Sequence, residues 1–334
     1  MPIWTRAPAR IDLAGGTLDI WPLYLLLGYG LTVNVAVTLY SEAWLSPGGG
    51  KGYRLVSEDT GLEERADSLE ELDVNGPLGL VARAVRHFAP DPGLTVVTRN
   101  RAPKGSGLGA SSSLLVAVLA GLEKLAGQAP STSELVNLAA DLEVQTINAP
   151  TGKQDYYAAV SGGASAIWFE AGRNRVEELP LGERFADALR EVLILSFTGQ
   201  SRMSARTNWE MVKACVEGRG DARDRLQRIR RTALELREAW LAEDVGALGL
   251  LLAREWEDRR GLAGGVSTPA VERAMVAASK AGAVASKVCG AGGGGCMVTV
   301  AGEGRREEVT QALREAGAEV LGFDFDAEGL IVRT

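Results

Sequence analysis

The most informative feature of this sequence is a glycine-rich segment that runs directly into an apolar helix, because it limits both the local fold and the kinds of ligand the chain can bind. Residues 103–113 read Pro-Lys-Gly-Ser-Gly-Leu-Gly-Ala-Ser-Ser-Ser, and the periodicity predicts a helix over 111–126. Alternating glycines at Gly105, Gly107 and Gly109 free the backbone, so several N–H groups can converge on one anion. The helix start adds unpaired N–H groups and a positive dipole end, and its serine hydroxyls can contact phosphate or magnesium. The segment predicts a phosphate site; a glycine-rich turn with serine caps is the plainer alternative.

Two common phosphate-binding motifs fail on context. The run Gly-x-Gly-x-x-Ala over 105–110 matches the dinucleotide fingerprint, but that fingerprint needs a strand immediately before it and an acidic strand end about 20 residues later. Pro103 and Lys104 precede the run, and a further helix follows it, so a nicotinamide-dependent dehydrogenase is disfavoured. No Gly-Lys-Ser/Thr ends the loop, which excludes a Walker A motif.

Composition narrows the class of protein. Hydrophobic residues make up 46% and charged residues 24%, as in ordinary globular chains. The net charge of −7 disfavours nucleic acid and anionic membranes as partners. A single histidine, His87, excludes multi-histidine metal sites and argues against a Ser-His-Asp triad. Three cysteines imply no disulfide framework, and no apolar run approaches the roughly 18 residues of a membrane span. We therefore expect a cytoplasmic protein; the sequence leaves its oligomeric state open, with a homodimer as one option.

The pattern along the chain predicts an α+β protein. A serine at 131 or 133 and Glu134 mark the start of one helix, whereas residues 60–73 are acidic and predict a solvated loop. Residues 201–260 have a helical, Arg/Glu-rich pattern. The other predicted helices span 79–87, 111–126, 131–148, 269–281 and 305–316, and the predicted strands span 3–13, 31–45, 94–99, 162–169, 192–197, 319–325 and 330–332. A shift from strand-rich to helix-rich sequence suggests a domain boundary near residue 185.

The pattern Pro-x-Gly-x-Gly-Leu-Gly-x-Ser-Ser resembles the ATP-binding motif of the GHMP kinases (galactokinase, homoserine kinase, mevalonate kinase and phosphomevalonate kinase). The resemblance implies a two-domain fold, with a ribosomal-protein-S5-like domain over 1–184 and a ferredoxin-like α/β domain over 185–334. It also implies ATP and Mg²⁺ as cofactors. The residues that would hold ATP are Pro103, Lys104, Gly105, Ser106, Gly107, Leu108, Gly109, Ala110, Ser111 and Ser112.

Two further segments resemble the other motifs of that family. Residues 7–19 (Ala-Pro-Ala-Arg-Ile-Asp-Leu-Ala-Gly-Gly-Thr-Leu-Asp) resemble its first strand and substrate turn, where Arg10 would be catalytic and Asp19 would hold sugar hydroxyls. Independently of the resemblance, a carboxylate just past a Gly-Gly turn is suited to accept hydrogen bonds from two neighbouring hydroxyls of a sugar. Residues 287–297 resemble the last glycine-rich motif. The remaining residues implied to contact the substrate are Gly16, Thr17, Gly292, Gly293 and Gly294.

The segment 148–157 resembles the part of the family that carries the catalytic aspartate. Asp155 is then the candidate base for the attacked hydroxyl. Ser111 and Glu143 fall at the positions of the family's magnesium ligands. Lys153 and Arg202 are candidate contacts for an anionic substrate, with a surface ion pair as the alternative for each.

Within the family, the chain most resembles the D-glycero-D-manno-heptose 7-phosphate kinases, which phosphorylate an anomeric hydroxyl. One departure is Leu18, which replaces a polar residue beside Asp19. The Glu-His pair of galactokinases is absent, because Gly16 and Thr17 occupy that position. The predicted function is an ATP-dependent kinase for a sugar or sugar phosphate. The alternatives are a kinase for another small alcohol, such as another monosaccharide or mevalonate, and a non-catalytic sugar or ATP sensor.

Overall fold

The computed structural model describes residues 1–199 and 204–334, with helices and strands in both halves of the chain. The strands are β1 (Ile3–Ala14), β2 (Gly30–Ser46), β3 (Tyr53–Ser57), β4 (Leu62–Ala66), β5 (Leu94–Asn100), β6 (Ala164–Glu170), β7 (Arg173–Leu179), β8 (Leu193–Phe197), β9 (Ala283–Val288), β10 (Cys296–Ala301), β11 (Glu319–Leu321) and β12 (Ile331–Arg333). The helices are α1 (Leu23–Leu26), α2 (Gly79–Phe88), α3 (Ala110–Leu125), α4 (Thr132–Ile147), α5 (Gln154–Ser161), α6 (Glu183–Val192), α7 (Ser204–Val216), α8 (Ala222–Leu241), α9 (Val245–Arg259), α10 (Pro269–Lys280) and α11 (Arg306–Glu315).

Two sheets organise these elements. The larger sheet has the order β12-β1-β2-β5-β3-β4, and the long strand β2 also pairs with β6, which in turn pairs with β7. The smaller sheet has the antiparallel order β11-β8-β10-β9. The last strand, β12, returns to pair with β1, so the larger sheet contains both ends of the chain. The division of the chain at 184/185 falls inside α6 and stays a prediction.

Helices and sheets share three packed cores. One core joins α2, α3, α4 and α5 to one face of the larger sheet. A second core lies on the other face of that sheet, where Ile11 and Leu13 of β1 meet Trp240 of α8 and Val298 of β10. Strand β1 is covered on both faces, which explains why its second half is buried at every position instead of at alternate ones. The turn that follows β1 therefore begins from a rigid support.

Local sequence signals account for the helix boundaries. Ser131 accepts a hydrogen bond from the Glu134 amide while the Glu134 side chain accepts from the Ser131 amide, which is the capping box at the start of α4. Asn148 ends α4 in the left-handed conformation. Thr268 caps α10 with Pro269 in its first turn. Helix α3 is apolar on nearly all sides because neighbouring elements bury most of its residues.

The prediction of a solvated loop over 60–73 was wrong in part. Residues Leu62–Ala66 form β4, which pairs with β3 in an antiparallel hairpin. The strand has little apolar patterning because it is an edge strand, and charged side chains protect such edges from further pairing. Arg54 of β3 contacts Glu63 across the pair at 2.8 Å. The charged strand β7 was missed for the same reason.

In the part of the chain that is described, no helix combines the length and apolar character needed to cross a membrane. Cys215, Cys289 and Cys296 are buried free thiols.

Candidate active site

One cavity collects most of the predicted site residues. Its lining comes from β1 and the turn after it, the glycine-rich loop and the start of α3, the end of α4, the segment that leads into α5 and its first turn, α7, and the loop between β9 and β10. The described residues around it are Arg10, Thr17, Asp19, Ile20, Gly105, Ser106, Gly107, Gly109, Ala110, Ser111, Ser112, Glu143, Ile147, Thr151, Gly152, Gln154, Asp155, Asn208, Gly290 and Ala291. Residues from 10 to 291 therefore meet in one place, and the candidate catalytic, metal and acceptor side chains share it.

The glycine-rich loop packs backbone against backbone on the C-terminal glycine run. Cys296 N donates to Ser106 O at 2.6 Å. A Cβ at Gly107 would lie 2.4 Å from the Cys289 carbonyl oxygen, and one at Gly295 would lie 2.7 Å from Ser106 O. Gly107 also has φ +73°, and Gly109 begins α3 with φ +75°. These glycines let the two loops touch and leave the start of α3 open to the cavity.

This packing determines what a side chain at Gly107 would contact, because its Cβ would point at the Cys289 carbonyl. We therefore expect Gly107→Ala to lower the melting temperature and to raise the KM for ATP, because the two loops must separate. Gly127→Ala is the matched control, since Gly127 has φ +69° with no atom near the added Cβ. It should show only the conformational cost, about 1–2 kcal/mol. If the Gly107 and Gly127 variants had equal melting temperatures and the Gly107 variant had an unchanged KM for ATP, the packing argument would be contradicted.

Arg10 and Asp155 form an ion pair at the centre of the cavity. Arg10 Nη2 lies 2.5 Å from Asp155 Oδ1, and Arg10 Nη1 donates to Gly107 O at 2.8 Å. The Arg10 side chain is buried, whereas 24% of the Asp155 side chain is exposed, so a ligand can reach that carboxylate. Burial raises the pKa of Asp155 above its ordinary value, and the Arg10 guanidinium opposes that rise. The result is a more basic carboxylate held in a fixed position by a cation.

Asp155 does not cap the helix on which it lies. Lys153 is the N-cap residue of α5, and Asp155 lies in the first turn with its carboxylate directed to Arg10. The geometry therefore gives Asp155 no role in capping this helix.

Asp19 lines the cavity and is almost completely buried. Its Oδ2 accepts a hydrogen bond from the Gln154 amide at 3.0 Å. Gly152 leaves room for it, because a Cβ there would lie 1.9 Å from the same oxygen. Burial raises the pKa of Asp19 to about 6. The Leu18 side chain is fully buried in the core with Ile20 and does not line the cavity, so the departure at Leu18 gives the acceptor no different contact.

Glu143 collects three hydroxyl groups. Ser111 donates to its Oε1 at 2.6 Å, Ser112 donates to its Oε2 at 2.9 Å, and Tyr156 donates to the same Oε2. Burial raises the pKa of Glu143, with these three hydroxyls opposing the rise. The Ser111 hydroxyl and Glu143 Oε1 form a pair of neighbouring oxygens at the cavity wall. Oxygen pairs of this kind suit Mg²⁺, which completes its octahedron with phosphate oxygens and water.

Three consecutive residues at the start of α5 connect these groups. The amide of Gln154 binds Asp19, the carboxylate of Asp155 pairs with Arg10, and the hydroxyl of Tyr156 binds Glu143. One helical turn thus holds the Asp19 carboxylate, the candidate base and the candidate metal ligand in fixed relative positions.

Several predicted site residues lie away from the cavity or serve another purpose. Lys153 donates to Asn137 on α4 at 2.7 Å and does not line the cavity. Gly290 and Ala291 line it in place of Gly292–Gly294, because the Gly293 amide is bound to Val266 O at 2.7 Å.

In the substrate turn, Thr17 lines the cavity but its hydroxyl is bound within the protein, and the Gly16 carbonyl accepts from Arg259. In the phosphate loop, Leu108 is buried, and neither Pro103 nor Lys104 lines the cavity. Arg202 lies outside the described residues.

Several residues of the site were not predicted from the sequence, because they act through neighbours that are distant in the chain. Gln154 contributes a backbone amide and Gly152 contributes space, and neither function leaves a side-chain signal. Asn208 and Ile147 line the cavity from helices whose pattern is otherwise ordinary. Tyr156 stands next to Asp155, so its position was a usable signal, but its contact with Glu143 depends on how α4 and α5 pack.

Comparison with known proteins finds two family models that match this chain. A family model described as GHMP kinases N terminal domain matches residues 78–163, and one described as GHMP kinases C terminal matches residues 234–319. Together the two matches cover just over half of the chain. The chain belongs to the GHMP kinase family. The predictions of the family and of its two-domain fold of mixed helices and strands are thereby confirmed.

Relatives of this GHMP kinase extend over the whole chain. The D-glycero-alpha-D-manno-heptose 7-phosphate kinase of Campylobacter jejuni is 29% identical, with 98% of each chain covered. The mevalonate kinase of Thermococcus gammatolerans is 30% identical over 71% of this chain and 68% of its own. The crystal structure of a D-glycero-D-manno-heptose 1-phosphate kinase from Bacteroides thetaiotaomicron superposes with a TM-score of 0.80 at 26% identity, covering 99% of both chains.

Proposed function

We propose that this GHMP kinase transfers the γ-phosphoryl group of ATP, in the presence of Mg²⁺, to a hydroxyl of a heptose 7-phosphate or a similar sugar, with the anomeric hydroxyl as the acceptor. One observation carries the proposal: the Arg10–Asp155 pair lies in the same cavity as the amide-rich loop before α3 and as Asp19. Phosphoryl transfer requires positioning and neutralisation of charge more than covalent chemistry, and this cavity offers both. Since ATP is the donor, we also propose a cytoplasmic location.

In this proposal each side chain has one role. The amides of the loop and of the α3 start bind the phosphates, and Asp19 accepts hydrogen bonds from sugar hydroxyls. Asp155 accepts the proton of the attacked hydroxyl and holds its oxygen in line with the γ-phosphate. Arg10 holds Asp155 and faces the charge that develops during transfer.

The charges of the cavity support a magnesium requirement. Three carboxylates, those of Asp19, Glu143 and Asp155, line it together with the guanidinium of Arg10. Bringing a polyphosphate beside these carboxylates needs further positive charge, and Mg²⁺ supplies it when bound. Ser111 and Glu143 are the residues that would hold the ion.

Changing Glu143 should raise the magnesium requirement. In Glu143→Gln the side chain keeps one oxygen for Ser111 but loses its charge, so turnover should need a higher Mg²⁺ concentration. The measurement is initial rate against Mg²⁺ at fixed total ATP. Asp141→Asn removes an exposed carboxylate from the same helix and is the matched control. Identical magnesium curves for the Glu143 variant and the wild type would remove Glu143 from the metal site.

A sugar without a phosphate group is the second candidate acceptor, and one observation favours it. Among the described residues that line the cavity, Arg10 is the one cationic side chain, and it is already paired with Asp155. A substrate phosphate would then depend on residues such as Arg202, whose role stays a prediction from the sequence.

A panel of acceptors separates these candidates. ATP consumption is measured with D-glycero-D-manno-heptose 7-phosphate, the same heptose without phosphate, galactose, L-fucose and mevalonate, and ³¹P NMR identifies the phosphorylated position. The proposal predicts that a heptose gives the highest kcat/KM and a product with phosphate at the anomeric carbon. A higher kcat/KM for mevalonate or galactose would overturn the proposed acceptor. Acceptor binding without ATP consumption on the whole panel would favour the sensor alternative.

A further inference from the structure

Four charged side chains lie completely buried beneath the substrate turn, outside the cavity. Asp12 comes from β1, Glu255 and Arg259 from α9, and Lys287 from β9. Arg259 Nη2 lies 2.5 Å from Glu255 Oε1, and Lys287 Nζ lies 3.2 Å from Glu255 Oε2 and 3.5 Å from Asp12 Oδ1. None of the four lines the cavity, so any effect on the reaction must pass through another residue.

The two cations of this cluster bind the backbone that leads into the turn. Lys287 Nζ donates to Leu13 O at 3.2 Å, and Arg259 Nη2 donates to Gly16 O at 2.8 Å. The turn rests directly on the cluster, because a Cβ at Gly16 would lie 2.4 Å from Asp12 Oδ2 and 3.0 Å from Arg259 Nη2. A backbone held by two buried cations has little freedom to move.

The backbone conformation of Thr17 indicates that the surrounding residues impose the shape of the turn. Its φ is +76°, in the left-handed region that a β-branched residue adopts only when its surroundings require it. Arg259 Nη1 donates to the Thr17 hydroxyl at 3.2 Å, and that hydroxyl also contacts Met211 Sδ at 3.5 Å. Thr17 O in turn accepts from the Ile20 amide at 3.1 Å, which sets the direction of the chain at Asp19.

We propose that Arg259 is a positioning residue for the acceptor: it holds Gly16 and Thr17 in the conformation that presents Asp19 to the sugar. Glu255 and Asp12 compensate its charge, and Lys287 balances the second carboxylate. The guanidinium is required because its planar fork donates to the turn and to Glu255 together, which an ammonium group cannot do with the same geometry. This role rests on the proposed function of Asp19 as the ligand of acceptor hydroxyls.

Arg259→Lys tests the role because it keeps the charge and removes the fork. We expect the acceptor KM to rise about tenfold or more, the effect of one lost hydrogen bond to a charged group, while the ATP KM stays within about twofold. Arg237→Lys is the matched control: Arg237 pairs with Glu177 away from the turn, and both KM values should stay at those of the wild type.

Amide hydrogen exchange of the free protein gives a readout that needs no substrate. The amides of Leu18 and Ile20 donate to Gly15 O and Thr17 O, both at 3.1 Å. In Arg259→Lys a peptide spanning 15–22 should exchange at least about tenfold faster, whereas Arg237→Lys should leave it unchanged. If the Arg259 variant does not fold, Thr17→Val replaces it, since valine keeps the branched shape and removes the oxygen that Arg259 binds.

The outcomes are distinct. Faster exchange at 15–22 together with a selective rise in the acceptor KM supports the positioning role. Wild-type exchange in the folded variant, or faster exchange with an unchanged acceptor KM, overturns it, as does an equal rise of both KM values. A wild-type enzyme that turns over no sugar would refute the proposed function instead, and the exchange comparison would still show whether Arg259 holds the turn.

Discussion

Asp155→Asn should lower kcat by about 10²–10⁴-fold, which is the usual contribution of a general base, while ATP and the acceptor still bind. The asparagine keeps an oxygen near Arg10 but cannot accept the proton of the attacked hydroxyl. Burial raises the pKa of Asp155, so the carboxylate is a stronger base than an exposed aspartate, and its contact with Arg10 favours the ionised form. Steady-state kinetics at saturating ATP and acceptor measure the loss.

A second aspartate makes this result interpretable. Asp244 caps α9 by accepting from the Ala247 amide at 2.9 Å, so Asp244→Ala should cost about 1 kcal/mol of stability and leave kcat near that of the wild type. Melting temperatures and kcat values are measured on the same samples of both variants. If Asp155→Asn lost stability like the Asp244 variant and kept its turnover, the catalytic assignment of Asp155 would be refuted.

Asp19→Asn should weaken acceptor binding roughly tenfold or more and leave the KM for ATP nearly unchanged, because hydrogen bonds to a charged group are worth about 1.5–3 kcal/mol. The amide retains one acceptor oxygen, which can still bind the Gln154 amide. Acceptor KM values are measured at saturating ATP. A parallel change in both KM values, or in neither, would show that Asp19 is not a dedicated ligand of sugar hydroxyls.

The dependence on pH provides a second test of Asp19. Burial raises the pKa of this carboxyl to about 6, so the acceptor KM of the wild type should rise as the pH falls through about 6. The asparagine variant has no group to protonate at this position, and its acceptor KM should lack that step. A step of the same size in both proteins would assign the titration to another group.

The free energy of unfolding should change with pH in the opposite direction from acceptor binding. The folded-state pKa of Asp19 lies above that of the unfolded chain, so its contribution to the free energy of unfolding falls as the pH rises from about 4 to 6 and stays low above that. The ionised carboxylate thus costs up to about 3 kcal/mol at neutral pH. Asp19→Asn should have a melting temperature at pH 7.5 no lower than that of the wild type. A clearly lower one would indicate that Asp19 is needed for folding.

The family, the fold class and most helices could be predicted from the sequence alone, because these depend on local signals. The capping box at Ser131 and Glu134, the alternating glycines before α3 and the apolar faces of the long helices act within a few residues of one another. Such signals depend only on residues that are close together in the sequence, so they can be recognised without knowing how the rest of the chain folds. The resemblance to the family's motifs also indicated Arg10 and Asp155, which the structure brings together at 2.5 Å.

What each of these residues contacts depends on how distant segments pack, and it could not be predicted from the sequence. Gly107 meets the carbonyl of Cys289, Gly152 makes room for Asp19, and Leu18 turns inward although it stands beside a cavity residue. The buried charges of Asp12 and Lys287 meet across almost the whole length of the chain. The physical reason is that periodicity and turn chemistry fix the backbone over one or two turns, whereas these contacts are set when segments far apart in sequence pack against each other. A buried charged cluster leaves no local pattern in the sequence. Each of its members has the sequence context of an ordinary surface residue, and the charges that pair with it are far away in the chain.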